Sequence, residues 1–213
     1  MSKFLSSTEE EQKAIILSIW EKYRILILAI IVLIPLTIII REYLESSQQE
    51  TQFESAKLYE EFLKAEGEQK LVIGKNFVSF YPGSLKSQLV QLNLAKISYE
   101  SGDIQEAIAY LEDLNNENKK NSEGNFDPIE SATKLRLSKI YLEKNEPNKV
   151  IQLLEDSNLH NSSLFEIKGD AFVKLGLISQ ARVNYLQAIE KSQTQTSLAI
   201  INMKIADLGE ADD

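Results

Sequence analysis

An all-α fold is expected for this chain, with an N-terminal single transmembrane helix followed by an α-solenoid, a stack of helix pairs. Three observations lead there. Between Arg24 and Arg41 lies an unbroken apolar run, Ile25–Ile40. Only 8 glycines and 4 prolines occur in 213 residues, while the strong helix formers Leu, Ala, Glu, Lys and Gln are abundant. From Ser84 onward, helix–turn–helix patterns recur in one shared register.

Within Ile25–Ile40 no side chain is charged, and only Thr37 is polar. Sixteen residues fall short of the roughly 20 needed to cross a bilayer. Trp20, Tyr23 and Tyr43 flank the run, and amphipathic rings favour the headgroup layer. Arg24 and Arg41 have long enough stems to keep their charge at the interface. The expected span is therefore residues 19–44, in contact with the lipid bilayer. Pro35 is tolerated in a membrane helix with a local kink. A buried core helix is the competing reading, but what flanks the run is polar.

The same segment sets orientation. Lys3, Lys13, Lys22 and Arg24 precede it, whereas Arg41 is followed by no basic residue until Lys57. That bias places the N-terminus in the cytoplasm and residues 45–213 on the other side of the membrane. Leu36–Ile40 offers no small-x-small cleavage site, so the segment reads as an uncleaved signal anchor. Residues 1–18 form the cytoplasmic leader, with residues 1–7 read as disordered. Thr8 and Glu11 have capping-box spacing, and Ile15, Ile16, Ile19 and Trp20 give an amphipathic face. That face fits either the cytoplasmic membrane surface or a plain lead-in to the span.

Charge and composition exclude several functions. Net charge is −9. Residues 1–41 hold five basic and four acidic side chains, leaving −10 for residues 42–213. Phosphate backbones need clustered Lys and Arg, so no nucleic acid is expected as partner. With 0 Cys and 1 His there are no disulfides, thiolate nucleophiles or ordinary zinc sites. His160, beside Asn158 and Asn161, reads as a solvated loop or cap residue rather than a base. Neither a dinucleotide fingerprint nor a phosphate-cradling lysine loop is present. No catalytic residues, metal or cofactor are expected, and the protein reads as a non-enzyme.

Taking the rest in order, absence of Gly and Pro from Leu36 to Glu66 lets the anchor helix run on as a polar stalk. Phe53, Ala56, Tyr59, Phe62 and Leu63 form an apolar stripe at helical spacing. A helix over 68–80 precedes the Tyr81-Pro82-Gly83-Ser84 turn, where Ser84 can cap the next helix. Residues 84–101 are helical, with Leu89, Leu92, Leu94, Ala95 and Tyr99 on the apolar side. Gly102 and Asp103 turn the chain into a return helix over 104–114. Residues 115–127, rich in Asn, Lys, Ser and Gly, read as an exposed loop. Pro128 opens a helix to Lys144, and Asn145-Glu146-Pro147 turns into a helix over 148–156. The third pair is 161–175 and 178–191 about Gly176. A last helix over 195–208 can cover the open end of the stack, and 210–213 is an acidic tail.

The three pairs share positions. Seven residues before the turn residues Gly102, Asn145 and Gly176 sit the small residues Ala95, Ser138 and Gly169. Five after them sit Ala107, Val150 and Ala181; nine after them sit Leu111, Leu154 and Tyr185. Small residues admit close helix approach, and large ones fill the gap to the next unit. This pattern resembles the tetratricopeptide repeat family, whose period is about 34 residues. The third unit matches best, through Phe165, Gly169, Phe172, Gly176, Ala181, Tyr185 and Ala188. Turn-to-turn spacings of 43 and 31 depart from it, the first through the 115–127 insertion. The 51–83 pair reads as a divergent first unit. On the repeat pattern Leu92, Lys96, Tyr99, Lys139, Leu142, Glu166, Asp170 and Val173 line a concave partner-binding groove. An irregular bundle, with these residues packed against neighbours, is the alternative.

The whole arrangement is similar to a narrower family, the YfgM-type ancillary subunit of the bacterial SecYEG translocon. The similarity lies in Leu135–Tyr141, Glu166–Phe172, Gly176 through Ala181-Arg182, and Met203-Lys204-Ile205. That resemblance implies a non-enzymatic role in protein transport. The partners it implies are the SecYEG translocon and a membrane-anchored periplasmic chaperone of the peptidyl-prolyl isomerase D type. It also implies assistance to secreted or outer-membrane proteins. A membrane-anchored scaffold for another envelope assembly is the alternative. The topology is testable directly: a reporter active only in the periplasm, fused after Asp213, is expected to be active, and activity from a cytoplasmic reporter alone would overturn the reading.

Overall fold

The computed structural model describes residues 9–121, 127–155 and 161–209. The expectations for residues 1–7, His160 and the 210–213 tail lie outside them. Nine helices are present among the described residues: α1 (Glu9–Lys64), α2 (Gly67–Phe80), α3 (Leu85–Glu100), α4 (Ile104–Asn121), α5 (Pro128–Glu143), α6 (Pro147–Leu153), α7 (Ser162–Lys174), α8 (Ile178–Lys191) and α9 (Gln195–Asp207). The chain divides into two compact units, Met1–Lys57 and Leu58–Asp213.

In the first unit the helix is uninterrupted, as the lack of Gly and Pro after Leu36 implies, and it carries Pro35 in its interior. Ile25, Leu26, Leu28, Ile30, Leu33, Ile34 and Leu36 are all exposed. Thr37 satisfies its hydroxyl locally, donating to the Ile34 carbonyl at 2.8 Å. Among the described residues no helix is long and apolar enough to cross a membrane. Within the 16-residue run, the side chains at 27, 31, 32 and 38–40 lie outside the described ones.

The second unit is held by apolar contacts between successive helices. Its largest cluster joins Ala95, Ala107, Leu111, Leu114, Leu137, Ile140, Tyr141, Val150, Leu154, Leu164, Ile167 and Ala171 across α3 to α7. The register read from the sequence is present. Ala95, Ser138, Ala107, Val150, Ala181, Leu111, Leu154 and Tyr185 are all buried. The turn residues Gly102, Asn145 and Gly176 have φ of +88°, +59° and +72°. A left-handed residue reverses the chain sharply after each first helix, and Gly or Asn tolerates that conformation best. Side-chain caps start these helices, at Ser84 as expected and also at Asp127 and Asn161, which the sequence reading did not single out. Ser84 accepts from the Ser87 amide, Asp127 from Ile129, and Asn161 from Ser163.

Gly169 of α7 shows how close the pairs come. A Cβ there would lie 2.4 Å from Cε1 and 2.5 Å from Cδ1 of Tyr185 on α8. Gly74 of α2 plays a similar part in the divergent first unit: its Cβ would meet Leu94 at 2.8 Å and Phe62 at 2.9 Å. There Phe62, Phe77, Val90 and Leu94 form a cluster flanked by Leu58 and Tyr59.

Three expectations are corrected. The stripe on α1 is narrower than predicted: Tyr59 and Phe62 pack, but Phe53 and Leu63 are exposed, and Leu58 takes their place. The return helix does not end at 114. α4 continues to Asn121, with Asn115 and Asn118 buried, so 115–121 is helix and not loop. Burial of these two asparagines against the rest of the domain outweighs the weak helix propensity of the stretch. α6 is shorter than predicted, stopping at Leu153.

The Gly169 contact yields a stability test. Gly169→Leu forces a side chain into the Tyr185 ring, and overpacking typically costs about 1–3 kcal/mol. The full chain in detergent is expected to melt several degrees lower. An unchanged melting temperature would show that α7 and α8 do not meet there.

Candidate functional site

The first helices α3 and α5 lie side by side, and their facing side chains leave a cleft of about 230 Å³. Ala95, Lys96 and Tyr99 come from α3, Arg136, Lys139, Ile140 and Glu143 from α5, and Leu111 from α4. Helical spacing of three and four residues puts Arg136, Lys139, Ile140 and Glu143 on one face. Buried Ala95, Leu111 and Ile140 supply an apolar floor. Lys96, Arg136 and Lys139 supply a cationic rim.

The rim is partly fixed. Arg136 Nη1 donates to the Leu92 carbonyl at 2.8 Å, tying α5 to α3. The Tyr99 hydroxyl donates to Glu143 Oε2 at 2.7 Å. That bond and the adjacent carboxylate charge resist loss of the phenolic proton and raise the Tyr99 pKa above the usual tyrosine value. Lys96 reaches Glu100 at 3.7 Å, while Lys139 has no ion pair among the described residues.

Of the expected groove residues, Lys96, Tyr99 and Lys139 line this cleft. Leu92 does not belong to the surface: it is 7% exposed and packs in the core, so its place in the groove is corrected. Leu142 is half-buried against the same core. Val173 on α7 is exposed. Glu166 and Asp170 are also reassigned, because α9 occupies them. Lys204 Nζ lies 2.7 Å from Glu166 Oε1 and 2.8 Å from both Asp170 oxygens. The Tyr185 hydroxyl donates to Asp170 Oδ1 at 2.7 Å.

The sequence reading missed Arg136, Glu143 and Lys204. The first two were detectable as one-turn neighbours of Lys139 on the same face. Lys204 was not, since its partners lie 34 and 38 residues away in the chain. Among the described residues no group of His, Asp or Glu is placed to hold a metal ion.

Residues 18–210 match the family described as tetratricopeptide repeat-like domain. The chain belongs to this family. It is similar to the ancillary SecYEG translocon subunit of Buchnera aphidicola subsp. Acyrthosiphon pisum (strain APS), 30% identical over 129 residues, 60% of this chain and 64% of that protein. It thus spans just under two thirds of that relative. A second protein of the same name, from Buchnera aphidicola subsp. Schizaphis graminum (strain Sg), is 28% identical over 155 residues, 70% of this chain and 76% of the relative. Both carry the name of the narrower family that Leu135–Tyr141 and Glu166–Phe172 resemble.

In this repeat domain the α9 anchor has a measurable signature. Burial disfavours the Lys204 charge, but hydrogen bonds and charges from Asp170 and Glu166 outweigh it and raise its pKa. Burial and the bond to Asp170 raise the Tyr185 pKa in the same direction. Both groups keep their protons longer folded than unfolded. Their stabilisation is therefore complete below the ordinary values of about 10 and is lost as pH rises through the higher folded values. Lys204→Met is expected to cost about 2 kcal/mol at pH 7 and to shrink, without abolishing, the fall in melting temperature above about pH 10. Thermal unfolding followed from pH 7 to beyond 10 checks both; identical curves for the variant and the parent would show that Lys204 does not hold α9.

Proposed function

We propose that the protein is a non-enzymatic ancillary subunit of the bacterial Sec translocon, a single-pass inner-membrane protein with its repeat domain in the periplasm. The observation that carries this is the joining of an exposed apolar run, Ile25–Leu36 among the described side chains, to a repeat domain whose relatives bear that name. An exposed apolar surface of this kind requires covering by lipid or by apolar protein. In this reading residues 19–44 cross the bilayer, Arg24 and Arg41 sit at its two faces, and residues 45–213 stand outside.

The repeat domain then acts as a holder. Helix-pair stacks bind extended or helical segments along the first helices, and the cleft between α3 and α5 offers apolar floor and charged rim. The partners proposed are SecYEG within the membrane and a membrane-anchored chaperone of the peptidyl-prolyl isomerase D type outside it. Secreted or outer-membrane polypeptides would be received as they emerge. Tethering raises the effective concentration of the domain where those segments appear.

Co-purification tests this. The chain, tagged at its C-terminus and extracted from membranes in mild detergent, is expected to bring translocon subunits with it. Association between helices in lipid depends on close contact, so replacing Ile25–Ile40 with an unrelated apolar span should reduce that recovery several-fold. Recovery of a different envelope assembly in place of the translocon would overturn the reading.

A further inference from the structure

We infer that the cleft between α3 and α5 selects a peptide segment of a partner protein in which an Asp or Glu side chain stands next to an apolar one. This rests on the groove reading above and names what the groove selects.

The charge distribution carries the argument. Residues 42–213 carry −10, yet the cleft is lined by Lys96, Arg136 and Lys139 and by one carboxylate, Glu143, with Glu100 meeting Lys96 at 3.7 Å from outside the lining. Glu143 is already engaged by the Tyr99 hydroxyl. Arg136 is held over the rim by its bond to the Leu92 carbonyl. Lys139 has no ion pair among the described residues, although acidic side chains outnumber basic ones 32 to 23 in the chain. A rim cation left without an internal partner is available to an external carboxylate. Directly beneath the rim lie Ala95, Leu111 and Ile140, all buried, which suit an apolar side chain and nothing charged. The exposed Tyr99 ring supplies the amphipathic edge common at binding hot spots.

The surroundings set a limit on the ligand. Screening confines each charge to about 8 Å at physiological salt, so the cations act locally while the rest of the acidic surface repels a long acidic tract. One or two carboxylates within an otherwise neutral, apolar-containing stretch fit best. At about 230 Å³ the cleft is below the range of drug-sized pockets and admits side chains, not a folded element.

The test uses the full chain in detergent and a labelled twelve-residue peptide with a central Glu-Leu-Asp-Phe block, amidated at its C-terminus so that only side chains carry charge. The comparison peptide has Gln-Leu-Asn-Phe. The acidic peptide is expected to bind about tenfold more tightly, the sum of two modest ion pairs, with the preference shrinking as salt rises. Lys96→Gln with Lys139→Gln touches neither core nor helix turn and should abolish the preference at unchanged melting temperature. Equal binding of the two peptides by the parent chain, or an undiminished preference in the double variant, overturns the inference. The same preparations are assayed for translocon recovery. A parent chain that keeps the peptide preference but recovers no translocon sustains this inference and overturns only the functional reading.

Discussion

The second unit depends on how closely paired helices approach. At Gly169 the separation is set by the absence of a side chain: the Tyr185 ring fills the space a Cβ would need. Ala95 and Ser138 hold the same register position in the other two pairs and are equally buried. Of the large residues nine after each turn, Tyr185 packs on its own partner helix, while Leu111 and Leu154 pack into the core shared between units. That core is one cluster running from α3 to α7. Each unit contributes half of a contact that only its neighbour completes, which is why such stacks gain stability by repetition.

The ends of the stack lack a neighbour on one side, and there polar clamps appear. At one end Glu106 of α4 accepts from Lys75 of α2 at 2.8 Å and from Ser98 of α3 at 2.8 Å. The bond from Lys75 is the chief reason its pKa lies below the usual glutamate range. At the other end Lys204 fastens α9 to Glu166 and Asp170, above Ile201, which is fully buried. The two clamps differ in weight. Lys75 is about half exposed, so its pair is screened and worth little. The Lys204 side chain is 27% exposed and is met by two carboxylates and a tyrosine ring at 5.9 Å. The C-terminal clamp therefore holds its helix more firmly.

Legibility in the sequence followed the range of the interaction. Turn residues and caps are local, and Gly102, Asn145, Gly176 and Ser84 all stand where spacing placed them. The apolar register is nearly local, repeating every few tens of residues, and it too was readable. What could not be read was set by partners far along the chain. Asn115 and Asn118 look like loop residues until the rest of the domain buries them. Glu166 and Asp170 look like open groove until Lys204 arrives from α9. Leu92 sits on the groove side of an ideal repeat, but here its side chain turns into the core while its carbonyl meets Arg136. Of the eight groove positions, Lys96, Tyr99 and Lys139 converge on the cleft because they depend only on α3 and α5 lying side by side.

The cleft's size bears on what kind of binder the domain makes. About 230 Å³ with one tyrosine and a solvated cationic rim supports only a few anchors, and rim charges steer encounter and choose partners more than they add affinity. A site acting in the proposed way would bind free segments weakly and release them quickly. Weakness is compatible with the proposed role if the domain is tethered, because a linked second contact raises local concentration to the millimolar range without a new interface. The apolar run in α1 and the cleft would then divide the work. The run supplies position, the cleft supplies selection, and neither needs to be strong alone.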